Sequence, residues 1–304
     1  MSLYNKYRPD TLEGVKGNTE TLKTLAGMLS NKKSCPHVFL LYGETGTGKT
    51  TIARIIANEL GCLGSDYKEV NTADFRGIDS VREIISNSQF SPMEGSVRVW
   101  VLDEIQKMTG DAQNALLKIL EDTPNHVYFI LCTTDPQKLL STIRGRCSQL
   151  QTKPLNEQQM FSLLRGIVRK EGEDIEKQIY DQIIETTQGH PRNAIQILEQ
   201  VLKVPAEERL EISKRQIDNQ AEITELCRAL LNGSNWSVIK EIITRLKDQE
   251  PESIRRVVLG YMQAVLLKGE NNQAAFIMEN FWEPTYDIGF PYITYACYSI
   301  INSK

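Results

Sequence analysis

Gly43-Glu44-Thr45-Gly46-Thr47-Gly48-Lys49-Thr50 is the stretch that decides the fold of this 304-residue chain. It fits the phosphate-loop pattern, in which a glycine is followed by four free positions and then by Gly-Lys-Thr. Residues 38–42, just before it, are apolar and β-prone, and residues 51–60, just after it, have helical spacing. The loop is therefore predicted to join a strand to a helix, as a nucleotide triphosphate site requires.

The residue types of this loop suit the binding of a triphosphate. Gly43, Gly46 and Gly48 allow backbone dihedrals closed to other residues, so that successive N–H groups can point at phosphate oxygens. Lys49 can reach the β- and γ-phosphates, and the Thr50 hydroxyl can bind Mg²⁺. The alternative is a glycine-rich turn that matches by chance, and the complete match in the right context favours an ATP and Mg²⁺ site.

The composition is that of an ordinary soluble protein, with 40% hydrophobic and 24% charged residues. The formal net charge is −4, so any nucleic-acid binding must rest on a local patch or on several chains together. No apolar run approaches the length of a membrane span, and the amino terminus does not read as a secretion signal. The sequence predicts a cytoplasmic protein without membrane partners. Six cysteines without a close pair indicate neither a disulfide framework nor a zinc site.

The order of apolar segments predicts an α/β domain followed by helices. Between residues 38 and 152, short strands alternate with helices, which is typical of a parallel sheet covered on both faces. Strands are predicted near residues 38–42, 67–71, 97–102, 127–132 and 148–151, and helices near 49–60, 79–88 and 111–121. After Lys153-Pro154 only helical periodicity remains, and a charged stretch near residues 204–208 offers a boundary. The predicted domains are a nucleotide-binding domain at 1–154, a small helical domain at 155–205 and a second helical domain at 206–304.

Aromatic residues crowd the carboxyl-terminal segment: Phe276, Phe281, Trp282, Tyr286, Phe290, Tyr292, Tyr295 and Tyr298. Such residues can stack on bases, but basic side chains are missing between them. Packing in a helical core or at a subunit interface is the favoured interpretation.

A second motif supplies the acids of the site. Residues 99–102 form an apolar strand that ends in Asp103 and Glu104, about 50 residues after the phosphate loop. In phosphate-loop ATPases the first acid holds Mg²⁺ through water, and the second can activate the attacking water. Thr134 follows the next strand and could contact the γ-phosphate. Arg144 and Arg146 are either solvated surface charges or groups that reach the ATP of a neighbouring subunit, and the sequence pattern leaves both open.

These residues resemble a family, the AAA+ ATPases of the sliding-clamp loaders, over about residues 3–200. The middle blocks look most like the bacterial gamma/tau subunit, and the Arg-Gly-Ile-Asp block looks like the small subunits of replication factor C. The matching blocks include the phosphate loop, Asp103-Glu104, Lys6-Tyr7-Arg8-Pro9, Phe75 to Arg82, Ala112 to Leu116, Thr133 to Leu139, Gly145-Arg146-Cys147 and Gly189 to Ala194. The resemblance implies an AAA+ domain, a helical lid and an all-α collar.

The resemblance also implies a role for each matching position. Glu104, Lys49 and, in trans, the arginine finger Arg146 would serve catalysis, and Thr50 with Asp103 would hold Mg²⁺. Thr134 would be the sensor of the γ-phosphate, and Arg192 a second sensor on the lid. The implied ATP contacts are Tyr4, Arg8, Val15, Gly43, Glu44, Thr45, Gly46, Thr47, Gly48, Lys49, Thr50, Thr51, Thr134 and Arg192.

Some positions depart from the family pattern. Gly145 stands where the family usually has Ser, which leaves the neighbouring arginine in place. The four-cysteine zinc module of gamma-type subunits is absent, with only Cys62 in that region, and so is the long tail of tau. The chain therefore looks like a compact small subunit of archaeal, eukaryotic or phage type, acting at the nucleoid, in an infected cell or in a nucleus.

The implied assembly is a pentamer of clamp-loader subunits that opens a sliding clamp and sets it on primer–template DNA. Arg76 and Arg82 would contact the DNA backbone, or else remain solvated charges. Phe90 and Met93 would anchor the clamp, or else cover the sheet edge. Gln113 and Asn114 would couple one subunit's site to the next.

Two other functions stay open from the sequence. A non-catalytic scaffold subunit of the same machine is disfavoured by the complete set of Lys49, Thr50, Asp103 and Glu104. An AAA+ branch-migration motor would carry a winged-helix domain with strands and basic residues, whereas this chain ends in predicted helices.

Overall fold

The structure is a computed structural model that describes residues 2–31, 34–72, 77–267, 269–285 and 288–302. Within these ranges the side chains of residues 211–212, 214–221 and 248 are left undescribed. The chain forms two compact units, Met1–Pro205 and Ala206–Lys304. The separation of a lid at residue 154 stays a prediction.

The first unit is built on one sheet of five strands in the order β2-β3-β4-β1-β5. Every neighbouring pair is parallel. The strands are β1 Val38–Tyr42, β2 Tyr67–Asn71, β3 Arg98–Asp103, β4 Val127–Thr133 and β5 Ser148–Gln151. The predicted α/β class with a parallel sheet is confirmed.

Nine helices belong to the first unit in its described part. They are α1 Leu3–Lys6, α2 Thr19–Ser30, α3 Lys49–Leu60, α4 Ile78–Ser88, α5 Gly110–Glu121, α6 Ser141–Arg146, α7 Glu157–Lys170, α8 Lys177–Thr187 and α9 Pro191–Leu202. The sequence pattern predicts α3, α4 and α5 within a residue of these bounds, but it does not predict α2 or α6.

Helices cover both faces of the sheet because side chains of a strand point alternately to either side. Leu40, Leu102 and Leu131 face one way and pack with residues of α4, α5 and α6. Phe39 and Ile130 face the other way and pack with residues of α2 and α3. Every residue of β4 is buried, which explains its uninterrupted apolar sequence.

The phosphate loop is fixed between the ends of β4 and β5. The Gly43 amide donates to the Thr133 carbonyl of β4 over 3.2 Å. The Thr47 and Thr152 hydroxyls share a hydrogen bond of 2.8 Å. Gly43 has φ +150°, and a Cβ there would collide with the Thr152 carbonyl oxygen. A glycine is therefore required where the loop leaves β1.

The second unit consists of helices in its described part. They are α10 Arg209–Leu231, α11 Trp236–Arg245, α12 Pro251–Leu266, α13 Asn272–Asn280 and α14 Phe290–Asn302. Their buried residues form one core centred on side chains such as Phe281, Met262 and Leu226. Nowhere in the described ranges is a helix both long and apolar enough to cross a membrane.

The carboxyl-terminal aromatic residues divide between core and surface. Phe281 is fully buried, and Phe276, Phe290 and Tyr292 pack against the same core. Trp282, Tyr295 and Tyr298 are exposed, and Tyr298 meets Trp236 edge to face with ring centroids 5.1 Å apart. Tyr286 lies outside the described residues. The core interpretation thus accounts for four of these residues.

Replacement of two glycines by alanine is expected to change stability in opposite directions. Gly43→Ala should lower the thermal unfolding midpoint, because strain and the clash with Thr152 cost about 1–3 kcal/mol. Gly166→Ala, inside α7 with open space around the added Cβ, should raise the midpoint, since alanine favours a helix by about 1 kcal/mol. Circular dichroism melts compare the two variants, and midpoints that move in the same direction would contradict the geometry.

Candidate nucleotide site

The phosphate loop and the tip of β3 line one polar pocket. Its residues are Tyr4, Thr45, Gly46, Gly48, Lys49, Thr50, Thr51, Asp103, Glu104 and Arg192. Lys49 is only 6% exposed, and its ammonium donates to the Gly43 and Glu44 carbonyls over 2.9 and 2.8 Å. Burial lowers the pKa of Lys49, while Cys132, Asp103 and Glu104 act in the opposite direction. Most of the predicted phosphate contacts are therefore brought together.

Thr50 and Asp103 meet at the pocket floor. The Thr50 hydroxyl donates to Asp103 Oδ2 over 2.9 Å, although 53 positions separate the two residues. The carboxyl ends of parallel strands lie at the same edge of a sheet. Helix α3, which follows β1, therefore begins near the end of β3. A hydroxyl and a carboxylate are oxygen ligands of the kind that Mg²⁺ prefers. The predicted pair thus fits a magnesium ion.

Glu104 lies next to this pair in an unusual backbone conformation. Its φ of 55° lies in the left-handed region, which costs a residue other than glycine about 1–2 kcal/mol. The Thr72 hydroxyl donates to the Glu104 carbonyl over 2.7 Å, and the Glu104 amide donates to Asp103 Oδ1 over 2.9 Å. The strained backbone is thus held from both sides, and Glu104 is one of the residues that line the pocket.

Gln106 joins Glu104 to the end of β4, and it is not among the site residues predicted from the sequence. Its Nε2 donates to Glu104 Oε2 over 2.5 Å and to the predicted sensor Thr134 over 2.9 Å. Sequence offered no sign of this, because Thr134 is 28 positions away and contact depends on the pairing of β3 with β4.

A less polar pocket adjoins the phosphate pocket. The two share Tyr4, Gly46, Gly48, Thr51 and Arg192. The second is also lined by Tyr7, Arg8, Pro9, Gly14, Val15, Lys16, Thr47, Leu155, Leu163, Pro191 and Ile195. Leu155, Leu163, Pro191 and Ile195 were not predicted as site residues. A less polar pocket beside a polar loop suits an adenine nucleotide, because the adenine ring is flat and largely apolar and the phosphates are charged.

Tyr4 lies between two arginines in this second pocket. Arg8 donates to its hydroxyl over 2.9 Å and Arg192 over 3.4 Å, and both guanidinium groups lie over the ring. Burial by itself would raise the pKa of Tyr4, but the hydrogen bonds from Arg192 and Arg8 outweigh it and lower the pKa. Tyr4, Arg8 and Arg192, three of the predicted ATP contacts, thus form one cluster.

The segment that carries Tyr4 is tied to the helices after the sheet. The Leu3 amide donates to Glu199 of α9 over 3.1 Å. Lys6 and Tyr7 both donate to Glu171, which follows α7, over 2.8 and 2.5 Å. Any movement of these helices would therefore carry one wall of the apolar pocket with it.

The two candidate finger arginines lie on α6, away from the phosphate pocket of their own chain. Arg146 donates to the Thr142 carbonyl over 3.1 Å and pairs with Glu121 at the end of α5. Arg144 donates to Gln137 over 3.2 Å. That Arg146 reaches the ATP of a neighbouring subunit stays a prediction.

The remaining predicted contacts lie on α4, on α5 and in the loop after α4. Arg82 is exposed and pairs with Asp79 over 2.9 Å, and Arg76 lies outside the described residues. Gln113 is buried, and its carboxamide contacts Met108, Lys138 and Leu140 just before α6. Asn114 is exposed.

Phe90 and Met93 belong to an exposed loop with a hydrogen-bonded base. Their side chains are 63% and 81% exposed, so they do not cover the sheet edge. Buried Asp66 accepts hydrogen bonds from the Met93, Glu94 and Gly95 amides over 2.7–2.9 Å. Arg98 reaches the same loop from β3. We define residues 89–95 as the Met93 loop.

The chain has sequence relatives among subunits of DNA polymerase III. A family model described as DNA polymerase III, delta subunit, matches residues 64–156. DNA polymerase III subunit gamma of Buchnera aphidicola is 31% identical over 66% of this chain and 61% of that protein. Subunit tau of Bacillus subtilis is 32% identical over 66% of this chain and 39% of that protein. The chain thus spans about two to three fifths of these relatives, and the resemblance to AAA+ clamp-loader subunits of gamma/tau type is confirmed.

Solved structures agree on the fold. Thermotoga maritima RuvB, described as a Holliday junction branch migration motor, superposes with a TM-score of 0.59 at 21% identity, over 72% of this chain and 78% of that one. A point mutant of the same protein gives 0.61 at 20% identity, over 74% and 80% of the two chains. At this identity the likeness shows the AAA+ fold alone.

The hydrogen bonds to Asp66 predict a pH dependence of stability. Burial would raise its pKa, but the Gly95, Glu94 and Met93 amides and Arg98 hold the pKa at about 2, below the ordinary 3.8. A lowered pKa means that the stabilisation is complete above about pH 4 and is lost as the pH falls toward about 2. Asp66→Asn should lower the melting temperature at about pH 7. As the pH falls from about 4 to about 2, the melting temperatures of the variant and the wild type should converge.

The matched control is Asp79→Asn, since that carboxylate is 89% exposed and its loss should matter little at any pH. Melting curves of the three proteins from about pH 2 to pH 7 provide the measurement. If the difference in melting temperature between Asp66→Asn and the wild type stays constant down to the acid end of this range, the lowered pKa of Asp66 is contradicted.

Proposed function

We propose that this chain is an ATP-hydrolysing subunit of a DNA polymerase sliding-clamp loader. The observation that carries the proposal is the pocket in which Lys49, the Thr50–Asp103 pair and Glu104 converge under the phosphate loop. Similarity to gamma and tau subunits supports the clamp-loader role. ATP binding would favour the assembly that holds the clamp open, and hydrolysis would release the clamp on primer–template DNA.

In the proposed reaction a water oxygen attacks the γ-phosphorus of ATP. The bond from that phosphorus to the β–γ bridging oxygen breaks, Glu104 takes a proton from the water, and ADP and phosphate leave. Lys49 binds the β- and γ-phosphates. Thr50 and Asp103 would hold Mg²⁺, which neutralises charge on the phosphates when bound.

Three further groups would make hydrolysis depend on the state of the assembly. Thr134 contacts the γ-phosphate. Arg192 contacts bound nucleotide, so that the helices of residues 155–205 change position with nucleotide binding. Arg146 completes the site of a neighbouring subunit in a pentamer, and its exposed position on α6 supports this role. Such an arginine contributes about 10³–10⁵ in rate.

DNA and clamp would bind to surfaces outside the pocket. Arg82, with Arg76, would contact the DNA backbone without reading its sequence. The exposed side chains of Phe90 and Met93 would anchor the clamp, as apolar side chains do at interface centres. Arg82 lies on α4, and Phe90 and Met93 belong to the loop that directly follows that helix.

The two alternatives have less support. A non-catalytic scaffold would not need the convergent acids and lysine. The RuvB likeness concerns the fold, and a branch-migration motor would be expected to carry strands after residue 205, whereas the described part of that unit is helical.

The first test is the ATPase rate of the assembled protein with and without its sliding clamp and primed DNA. We expect both to stimulate the wild type, and Lys49→Ala to lose at least about 100-fold in rate because the phosphate contacts disappear. Lys177→Ala, an exposed lysine at the start of α8, is the control and should behave as wild type. A rate indifferent to clamp and DNA would refute the clamp-loader role.

The second test asks whether Arg146 acts in trans. Arg146→Ala and Lys49→Ala should each be inactive alone, yet mixed assemblies should regain activity. In a mixed assembly, the Arg146→Ala subunit supplies an intact Lys49, and a neighbouring Lys49→Ala subunit supplies an intact Arg146 to the same site. ATPase rates measured at several mixing ratios give the answer, and no recovery at any ratio would assign Arg146 to its own chain or to no catalytic role.

A further inference from the structure

Gln106 belongs to the short turn Ile105–Lys107 directly behind Glu104. Its carboxamide makes three hydrogen bonds with side chains. Nε2 donates to Glu104 Oε2 over 2.5 Å and to Thr134 Oγ1 over 2.9 Å, and Oε1 accepts from the Thr133 hydroxyl over 2.7 Å. One side chain therefore joins the acid of β3 to both threonines at the end of β4.

The chemistry of the partners fixes the orientation of this amide. An ionised carboxylate only accepts hydrogen bonds, so the NH₂ group of Gln106 must face Glu104. The carbonyl oxygen of Gln106 then faces Thr133, whose hydroxyl donates. Thr134 receives a hydrogen bond from the same NH₂ group, so the Thr134 hydroxyl keeps its own hydrogen to donate to a phosphate oxygen or a water.

The backbone of Glu104 is already fixed by Thr72 and Asp103. Its side chain is the part that can still turn, and Gln106 holds the end of that side chain. One amide group therefore connects the Glu104 carboxylate to the Thr134 hydroxyl.

We propose that Gln106 is a positioning residue that couples the orientation of Glu104 to that of Thr134. It holds the carboxylate in the direction needed for the attacking water, and it sets Thr134 as a donor toward the γ-phosphate. This inference rests on the proposed ATPase function. Gln106 acts through its two partners and does not itself line the phosphate pocket.

A double-mutant cycle tests the coupling. Gln106→Met keeps the side-chain length and removes the amide, and Thr134→Val keeps the shape and removes the hydroxyl. Each variant should lose about 10–100-fold in the single-turnover rate, because a misplaced reacting group costs on that order. The Kd for ATP should stay within about threefold, and the double variant should be no slower than the slower single variant.

Two more variants separate positioning from a structural role. Lys107→Met changes the exposed neighbour on the same turn and should leave the rate unchanged. Gln106→Leu keeps a side chain of similar volume but has no hydrogen-bond donor, so it should lose rate as Gln106→Met does. It also keeps the proposal testable if the methionine variant fails to fold.

Several results would overturn the proposal. Rate losses that multiply in the double variant mean that Gln106 and Thr134 act independently. A lower melting temperature with an unchanged rate means that Gln106 is only structural, and full activity of Gln106→Leu means that donation to Glu104 is not needed. A wild-type assembly without ATPase activity would instead refute the proposed function, and this inference with it.

Discussion

The parallel pairing of β1 with both β4 and β5 is the constraint on which the site depends. It places the loop after β1 between two strand ends, where the Gly43 amide donates to the Thr133 carbonyl and Thr152 leaves no room for a side chain at Gly43. The same edge of the sheet receives the end of β3, so that Asp103 meets Thr50. A crevice at the carboxyl ends of parallel strands is where α/β sheets bind ligands.

Much of this arrangement could be predicted because its determinants are local. Central strands buried on both faces are largely apolar runs, as in β1, β3 and β4, and β1 was predicted with the bounds that the structure has. The edge strands β2 and β5 also have the predicted bounds, although their residues are mixed. The phosphate loop could be found since its glycines, lysine and threonine are contiguous. Helix α6 was missed because its six residues are too few for a periodic pattern.

The rest of the site depends on neighbours that the sequence does not reveal. Gln106 is a plain polar residue until strand pairing brings Thr134 beside it. Asp66 has no predicted role in the sequence, because only the folded chain brings three amides of the Met93 loop to its carboxylate. The assignment of Arg146 needs a second subunit, so no property of one chain can decide it.

The carboxylate of Asp66 has a consequence for recognition. Because it fixes the base of the Met93 loop during folding, the backbone there has little conformational entropy left to lose when a partner docks. Loops that order on binding must offset that loss from their contact energy. If Phe90 and Met93 bind the clamp as proposed, two exposed apolar side chains on a loop with a hydrogen-bonded base would support an encounter that is fast to form and needs little interface area. Such an encounter would suit a partner that is bound and released repeatedly.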